Sequence, residues 1–115
     1  MDEKEQTKFY LQNYGEIKNE ISHWKLANNT QSDPEELFFK RMRVKRPAAI
    51  IKGINKALRQ MDKMDAKVVK RRYFDKWGWK YICTMENMSA TYYYQHKSAG
   101  IAYIQAVLKE SGLLQ

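Results

Sequence analysis

The sequence predicts an all-α protein with N-terminal helices and a C-terminal helix-turn-helix that has an extended recognition helix. Apolar residues recur at three- and four-residue spacing along most of the 115-residue chain, and cap residues divide these segments. A two-residue turn at Asn87 and Met88 separates a short helix from a long one that Ser89 opens. We expect an N-terminal helical region at 1–60 and a helix-turn-helix domain at 61–115.

The first helix is expected from about Glu3 to Leu26. Its apolar positions alternate at four- and three-residue spacing, which is typical of a helix that packs along a partner helix. These positions are Tyr10, Tyr14, Ile17, Ile21 and Trp24. The partner is either another helix of the same chain or a second copy in a homodimer, and five apolar positions do not distinguish the two.

The next two helices are predicted from cap residues and prolines. Asp33 is expected as an N-cap before Pro34, and this helix should end near Val44 because the residue before a proline disfavours helix. Pro47 should then open a third helix with an apolar stripe. The basic patch at 40–46 should contact phosphates through Arg41, Arg43, Lys45 and Arg46.

The C-terminal domain has its own boundary signals. Asp62 and Asp65 should start a helix that closes at Tyr73 and Phe74. Gly78 should cap a short helix from Trp79 to Glu86 whose inner face holds Trp79, Ile82 and Cys83. The last helix should run from Ala90 to about Lys109, with Gly100 at a close helix contact and Gly112 ending it.

Charge divides the chain into an acidic start and a basic remainder. Residues 1–36 carry eight acids and four lysines, a net charge of −4, whereas residues 37–115 carry 17 bases and five acids, a net charge of +12. The whole chain therefore has a formal charge of +8. An excess of this size favours a nucleic-acid partner over solubility alone.

The first two turns of the last helix would read double-stranded DNA. Tyr93 and His96 should point inward, which leaves an outward set for base edges: Ala90, Thr91, Tyr94 and Gln95. A second set should contact phosphates: Lys97, Tyr92, Lys80, Arg71 and Arg72. Three consecutive tyrosines on a helix face different directions, which argues against a stacking platform for single strands.

Other classes of function lack their motifs. The sequence has no glycine-rich phosphate loop, nucleophile elbow, HExxH or CxxC, so we expect no catalytic residue, metal site or cofactor. No apolar run approaches membrane-spanning length, and the start MDEKEQTK does not resemble a secretory leader. Together with a single cysteine, these features predict a cytoplasmic protein.

The segment RRYFDKWGWKYICTMENMSATYYYQHKSAGIAYI resembles region 4 of bacterial sigma factors. It is more similar still to phage transcriptional regulators of the RinA, ArpU and LtrA type. The matching features are Tyr73 with Phe74, the helix Trp79–Ile82, and Ser89, Tyr92, Tyr93 and Lys97 of the last helix. The resemblance covers about residues 61–108. It implies an activator of phage late genes for packaging and morphogenesis that binds a promoter-proximal site and works with host RNA polymerase.

Two other interpretations remain open at this stage. A small terminase subunit of a DNA-packaging machine also joins a helix-turn-helix to oligomerising helices, and it would form a closed ring. A protein-binding module would instead use the acidic, aromatic first helix to hold a host or phage protein.

Overall fold

The computed structural model describes the backbone of residues 1–28 and 34–115, and the side chains of residues 1–23 and 45–115. These parts are helical and contain no strand, which confirms the all-α prediction. None of the described helices is long and apolar enough to cross a membrane. The helices are α1 (Glu3–Gln12), α2 (Tyr14–Asn28), α3 (Pro34–Gln60), α4 (Lys63–Val69), α5 (Trp79–Met85) and α6 (Ala90–Glu110), with a π-helical turn (Lys70–Phe74) directly after α4.

The predicted first helix is wrong in one respect, because it is interrupted at Asn13. The backbone there leaves helical geometry, with φ −108° and ψ 16°. Both the main-chain amide and the side-chain amide of Asn13 donate to the carbonyl of Phe9, at 3.1 and 2.8 Å. A side chain that bonds local backbone in this way competes with the helix, and Gly15 two residues later adds little helical preference of its own.

The aromatic seam of α1 and α2 packs within the chain. Tyr14 stacks on Phe74 at 4.0 Å between ring centroids, and its hydroxyl donates to Asn55 Oδ1 at 2.6 Å. Tyr10 also packs against the core, but the fully buried apolar residue among those described in α1 is Leu11, which lies off the predicted seam. The side chain of Trp24 lies outside the described residues.

The predicted helix boundary at Pro47 is also wrong, since α3 continues through this residue for 27 residues. A proline inside a helix removes one hydrogen bond and costs about 3 kcal/mol. The helix persists because the residues that follow pack tightly: Ile50, Ile54 and Ala57 are all buried. Burial of one large aliphatic side chain contributes roughly 1.5 to 3 kcal/mol, so the two isoleucines together offset the proline.

The core is shared by both sequence regions that we divided at residue 60. Apolar residues of α1, α3, α4 and α6 form one cluster, including Leu11, Ile54, Leu58, Val69, Ile101, Ile104 and Leu108. The second half of α6 therefore lies at the centre of the protein, as its core spacing predicts. Its first two turns extend beyond this cluster.

Two glycines allow close approach or reversal of the chain. A Cβ built on Gly100 would lie 2.5 Å from Val69 Cγ2, which confirms the predicted close helix contact. Gly112 has φ +72° and ends α6 as predicted, and the amide of Leu113 donates to the carbonyl of Leu108 at 2.9 Å. The chain does not leave the fold there, because Leu113 is buried in the core.

Candidate nucleic-acid interface

The helix α4 and the π-helical turn after it support α5 and α6. Asp62 Oδ1 accepts from the amides of Met64 and Asp65, at 3.0 and 3.2 Å, so the predicted helix start is confirmed. After α4 the backbone widens into the π-helical turn, where the amide of Asp75 donates to the carbonyl of Lys70 at 3.0 Å. π-Helical turns are rare in proteins, and many of those that occur lie at functional sites. Here the turn places Tyr73 in the core.

The turn between α5 and α6 forms where the sequence predicts it. Gly78 has the extended geometry of an N-cap, and Asn87 has a left-handed φ of 51°. The amide of Met88 donates to the carbonyl of Cys83 at 3.0 Å, which closes the end of α5. Of the three residues expected on the inner face of α5, Ile82 is fully buried and Cys83 is half-buried. Trp79, the first residue of the helix, is exposed instead, and its ring lies beside that of Tyr94 on α6 rather than in the core.

Three contacts hold the start of α6. Ser89 Oγ accepts from the amide of Tyr92 at 3.2 Å, as expected for an N-cap. Tyr93 is 1% exposed and packs with Val68 and Ile82. His96 Nδ1 lies 2.7 Å from Asp65 Oδ1 of α4. The inward orientation predicted for Tyr93 and His96 is therefore observed, and the opposite side of the helix is free of the core.

The residues predicted to contact bases all lie on exposed parts of α6: Ala90, Thr91, Tyr94 and Gln95. Thr91 and Gln95 are four residues apart and lie one above the other on the same face. The ring of Tyr94 lies 6.3 Å from that of Trp79 on α5, between centroids. Residues 90–97 contain no acid, so this surface presents polar groups, aromatic rings and the positive end of a helix.

Lys97 was expected to face outward, but its side chain is half-buried. It follows Tyr93 by four residues and therefore shares the inner face of α6, with Nζ 5.9 Å from the centre of the Tyr73 ring. Burial lowers the pKa of Lys97, and the positive charges of Arg72, Lys8 and Lys4 lower it further. We call Lys97 and the three residues whose charges act on it, Lys4, Lys8 and Arg72, the basic cluster.

Two members of this cluster, Lys4 and Lys8, come from α1 and were missed by the sequence analysis. The net charge of residues 1–36 is negative, which concealed the lysines on one side of α1. No acid is among the charges that shift the pKa of Lys97. Positive charges of α1 and of the π-helical turn therefore act on Lys97, whereas the first residues of α1 lie at the other end of α6, where Glu3 Oε1 is 3.2 Å from Lys109 Nζ.

Arg71 and Arg72, both predicted phosphate contacts, differ in their surroundings. Arg71 Nη1 lies 2.9 Å from Asp75 Oδ2, and its guanidinium lies 4.5 Å from the centre of the Trp77 ring. Its charge is thus largely engaged within the protein. Arg72 donates to the carbonyl of Trp77 at 3.4 Å and pairs with no described carboxylate, so its positive charge is available to a partner.

The remaining predicted phosphate contacts are spread over the surface. Lys80 is exposed, with Nζ 5.6 Å from the centre of the Trp79 ring, and Tyr92 is 61% exposed. Lys45 and Arg46 are exposed too, but Arg46 donates to the carbonyl of Leu113, beyond the far end of α6. A 21-residue helix is roughly 30 Å long, so the structure does not bring Arg46 together with the start of α6. The side chains of Arg41 and Arg43 lie outside the described residues.

One group of possible metal ligands is present in the described residues. Asp62, Asp65 and His96 each place one ligand atom within 4.8 Å of the others. Asp62 already caps α4, and Asp65 already pairs with His96. Helix capping and helix pairing account for these contacts without a metal.

Comparisons of the chain with protein families, curated proteins and solved structures find no match.

Proposed function

We propose that the protein binds double-stranded DNA sequence-specifically, with the start of α6 in the major groove, and activates phage late genes together with host RNA polymerase. One observation carries the binding part. Thr91, Tyr94 and Gln95 are exposed on a helix start that buried Tyr93 holds in place. In such a motif the N-terminal residues of the second helix contact base edges, and glutamine can pair with adenine through two hydrogen bonds. The activation part rests on the resemblance of residues 61–108.

The basic cluster supplies contacts of another kind. Positive side chains beside a reading helix bind phosphates and set the orientation of the duplex without reading sequence. Lys97 follows Tyr94 by three residues and lies at the edge between the inner and the exposed face of α6, and Arg72 and Lys8 are among the charges that act on it. The duplex would therefore contact α1 as well as α6.

The first experiment separates base contacts from phosphate contacts. A binding site is selected from random duplexes, and the affinities for that site and for an unrelated duplex are measured over a range of salt concentrations. Gln95→Ala should weaken the selected site by about 1 to 3 kcal/mol with little effect on the unrelated duplex. Arg72→Ala and Lys8→Ala should weaken both duplexes and reduce the salt dependence.

Matched controls lie on α3, far from the proposed interface. Gln60→Ala and Lys52→Ala change exposed residues of the same types and should leave both affinities unchanged. Equal effects of Gln95→Ala and Gln60→Ala would show that α6 does not read the sequence. A closed ring of many copies in native mass spectrometry would favour the packaging role instead.

Exposed apolar residues of α5 support the activation part. Tyr81 is 51% exposed and Met85 is 54% exposed. Tyrosine and methionine are enriched in protein interfaces, so this surface suits a contact with polymerase next to the bound duplex. Tyr81→Ala with Met85→Ala should reduce activated transcription from the selected site while DNA affinity stays the same. An unchanged transcript level with this double variant would show that α5 does not form the proposed contact with polymerase.

A further inference from the structure

A concave pocket of about 500 Å³ lies between the end of α3, α4 and the π-helical turn. The apolar part of its lining consists of half-buried Phe74 and of three residues that are nearly buried in the core, Leu58, Met61 and Ala66. The polar part of the lining is almost entirely basic: Arg59, Lys63, Lys67, Lys70 and Arg71, with Asp75 as the single acid. The volume is within the range of about 300 to 1,000 Å³ that is typical of pockets for small molecules.

The basic residues of this pocket are only partly neutralised within the described chain. Lys67 Nζ lies 2.8 Å from Glu86 Oε2, and Arg71 pairs with Asp75. Arg59, Lys63 and Lys70 have no ion pair with a described residue. Like charges around one concavity repel each other, so a bound anion would be favoured there.

A second observation in the same pocket is independent of charge counting. Arg71 Nε is buried and makes no hydrogen bond with the described residues, and it lies 4.0 Å from Glu86 Oε1, which is too far for a hydrogen bond. A buried donor without an acceptor costs roughly 1 to 3 kcal/mol, and more when the group is charged. An oxygen acceptor from a ligand would reach this donor only after a movement of the Arg71 side chain.

The pocket opens on the side of α4 that faces away from α6. Lys63, Lys67 and Lys70 follow one another at four- and three-residue spacing, which places them on one face. Asp65 and Val69 lie on the other face, where they contact His96 and approach Gly100 of α6. A duplex held by the start of α6 therefore would not fill this pocket, and the inference does not depend on the proposed function.

We infer that this pocket binds a small polyanion with an apolar body, of the nucleoside polyphosphate class. Three unpaired cations favour a ligand with several negative charges, and lysine and arginine side chains bind phosphate oxygens through charge-assisted hydrogen bonds. The apolar lining favours a ring system attached to the phosphates. A simple inorganic anion would leave that apolar surface uncovered.

The test is a fluorescence titration of the full chain with ATP that carries an N-methylanthraniloyl group, at about 0.15 M salt to screen weak surface contacts. Unlabelled ATP should displace the probe. Adenosine, which lacks phosphates, should compete at least about tenfold more weakly, since a charge-assisted hydrogen bond contributes roughly 1.5 to 3 kcal/mol. Tripolyphosphate keeps the phosphates but lacks the ring system, and it should also compete at least about tenfold more weakly, since burial of an apolar ring contributes roughly 1.5 to 3 kcal/mol.

Variants locate the binding. Lys63→Gln and Lys70→Gln should each lower the affinity for the labelled ATP by about tenfold or more, because each variant removes a charge-assisted hydrogen bond. Lys52→Gln, an exposed lysine of α3 outside the pocket, should not. All three side chains are exposed, and unchanged far-UV circular dichroism will confirm that each variant folds.

Three results would overturn the inference. Equal losses with Lys52→Gln and Lys70→Gln would indicate general attraction to a basic protein. Equal competition by tripolyphosphate and ATP would show that the ring system does not contribute to binding. Displacement of the probe by a short duplex, with the same dependence on Lys70, would assign the pocket to DNA instead.

Discussion

Replacement of Gly100 by alanine tests the closest approach of α4 and α6. The new Cβ would lie 2.5 Å from Val69 Cγ2 and 3.3 Å from the carbonyl oxygen of Asp65. Ordinary carbon contacts begin at about 3.5 Å, so the helices must separate by roughly 1 Å near Val69. Val69 is fully buried and the Asp65 oxygen belongs to the backbone, so neither atom can rotate away.

Two opposing effects set the magnitude. An alanine in the middle of a helix is favoured over glycine by about 1 kcal/mol. Overpacking of a tight core typically costs about 1 to 3 kcal/mol, and two fixed neighbours place Gly100→Ala in the upper part of this range. We therefore expect Gly100→Ala to lower the free energy of unfolding by about 1 to 2 kcal/mol.

Urea denaturation followed by circular dichroism measures this change, and the slope with urea should stay constant because the unfolded surface is the same. Gly15→Ala is the matched control, since nothing lies within 4 Å of its added Cβ, and it should not destabilise the protein. Val69→Ala removes the atom in the way, so the double variant with Gly100→Ala should lose less stability than the sum of the single losses. A Gly100→Ala protein as stable as the wild type, or additive losses, would refute the close packing.

Two further predictions concern Lys97 and Asn87. Burial lowers the pKa of Lys97, and the charges of Arg72, Lys8 and Lys4 lower it further, so at neutral pH the charged lysine destabilises the folded protein. This destabilisation disappears as the pH rises from the lowered pKa of the folded protein to the unfolded value of about 10.5. Lys97→Met should thus unfold at a higher urea concentration than the wild type at pH 7, and the difference between the two urea midpoints should shrink towards pH 10. A difference that stays constant with pH would contradict the burial of Lys97. Asn87 has a left-handed φ, so Asn87→Val should lower the free energy of unfolding by about 1 to 2 kcal/mol, while Asn87→Gly should not lower it. Equal stabilities of these two variants in urea would contradict the left-handed backbone.

Sequence signals that act over one helical turn predicted the structure well. Asp62, Gly78 and Ser89 occupy cap positions, and Asn87 has the left-handed backbone expected of its turn. Each of these features depends on hydrogen bonds or sterics between residues within a few positions of each other. Such interactions can be read from a sequence without knowledge of the fold.

Signals that depend on packing were less informative. Pro47 lowers the stability of a helix locally, but burial of Ile50 and Ile54 outweighs it, and that burial requires helices that are distant in sequence. Asn13 interrupts a helix through a bond of its own side chain, which periodicity does not report. The spacing of apolar residues could not show either effect.

The candidate interface was predicted residue by residue on α6 but not across helices. Gln95 is exposed as expected, whereas Lys97 is half-buried because it lies four residues after the anchoring Tyr93. The lysines of α1 that join it, Lys4 and Lys8, are 89 or more positions away in sequence. Their proximity is a property of the tertiary structure alone.

The first half of α6 has one anchored face and one exposed face, and this arrangement has a thermodynamic consequence. Tyr93, His96 and Gly100 fix the helix to α4 before any partner arrives. Association should therefore add no helical circular dichroism signal, and calorimetry should record a heat-capacity change that matches the contact area alone. The outer turns of α6 would meet their target as a ready-made surface, without loss of backbone freedom on complex formation.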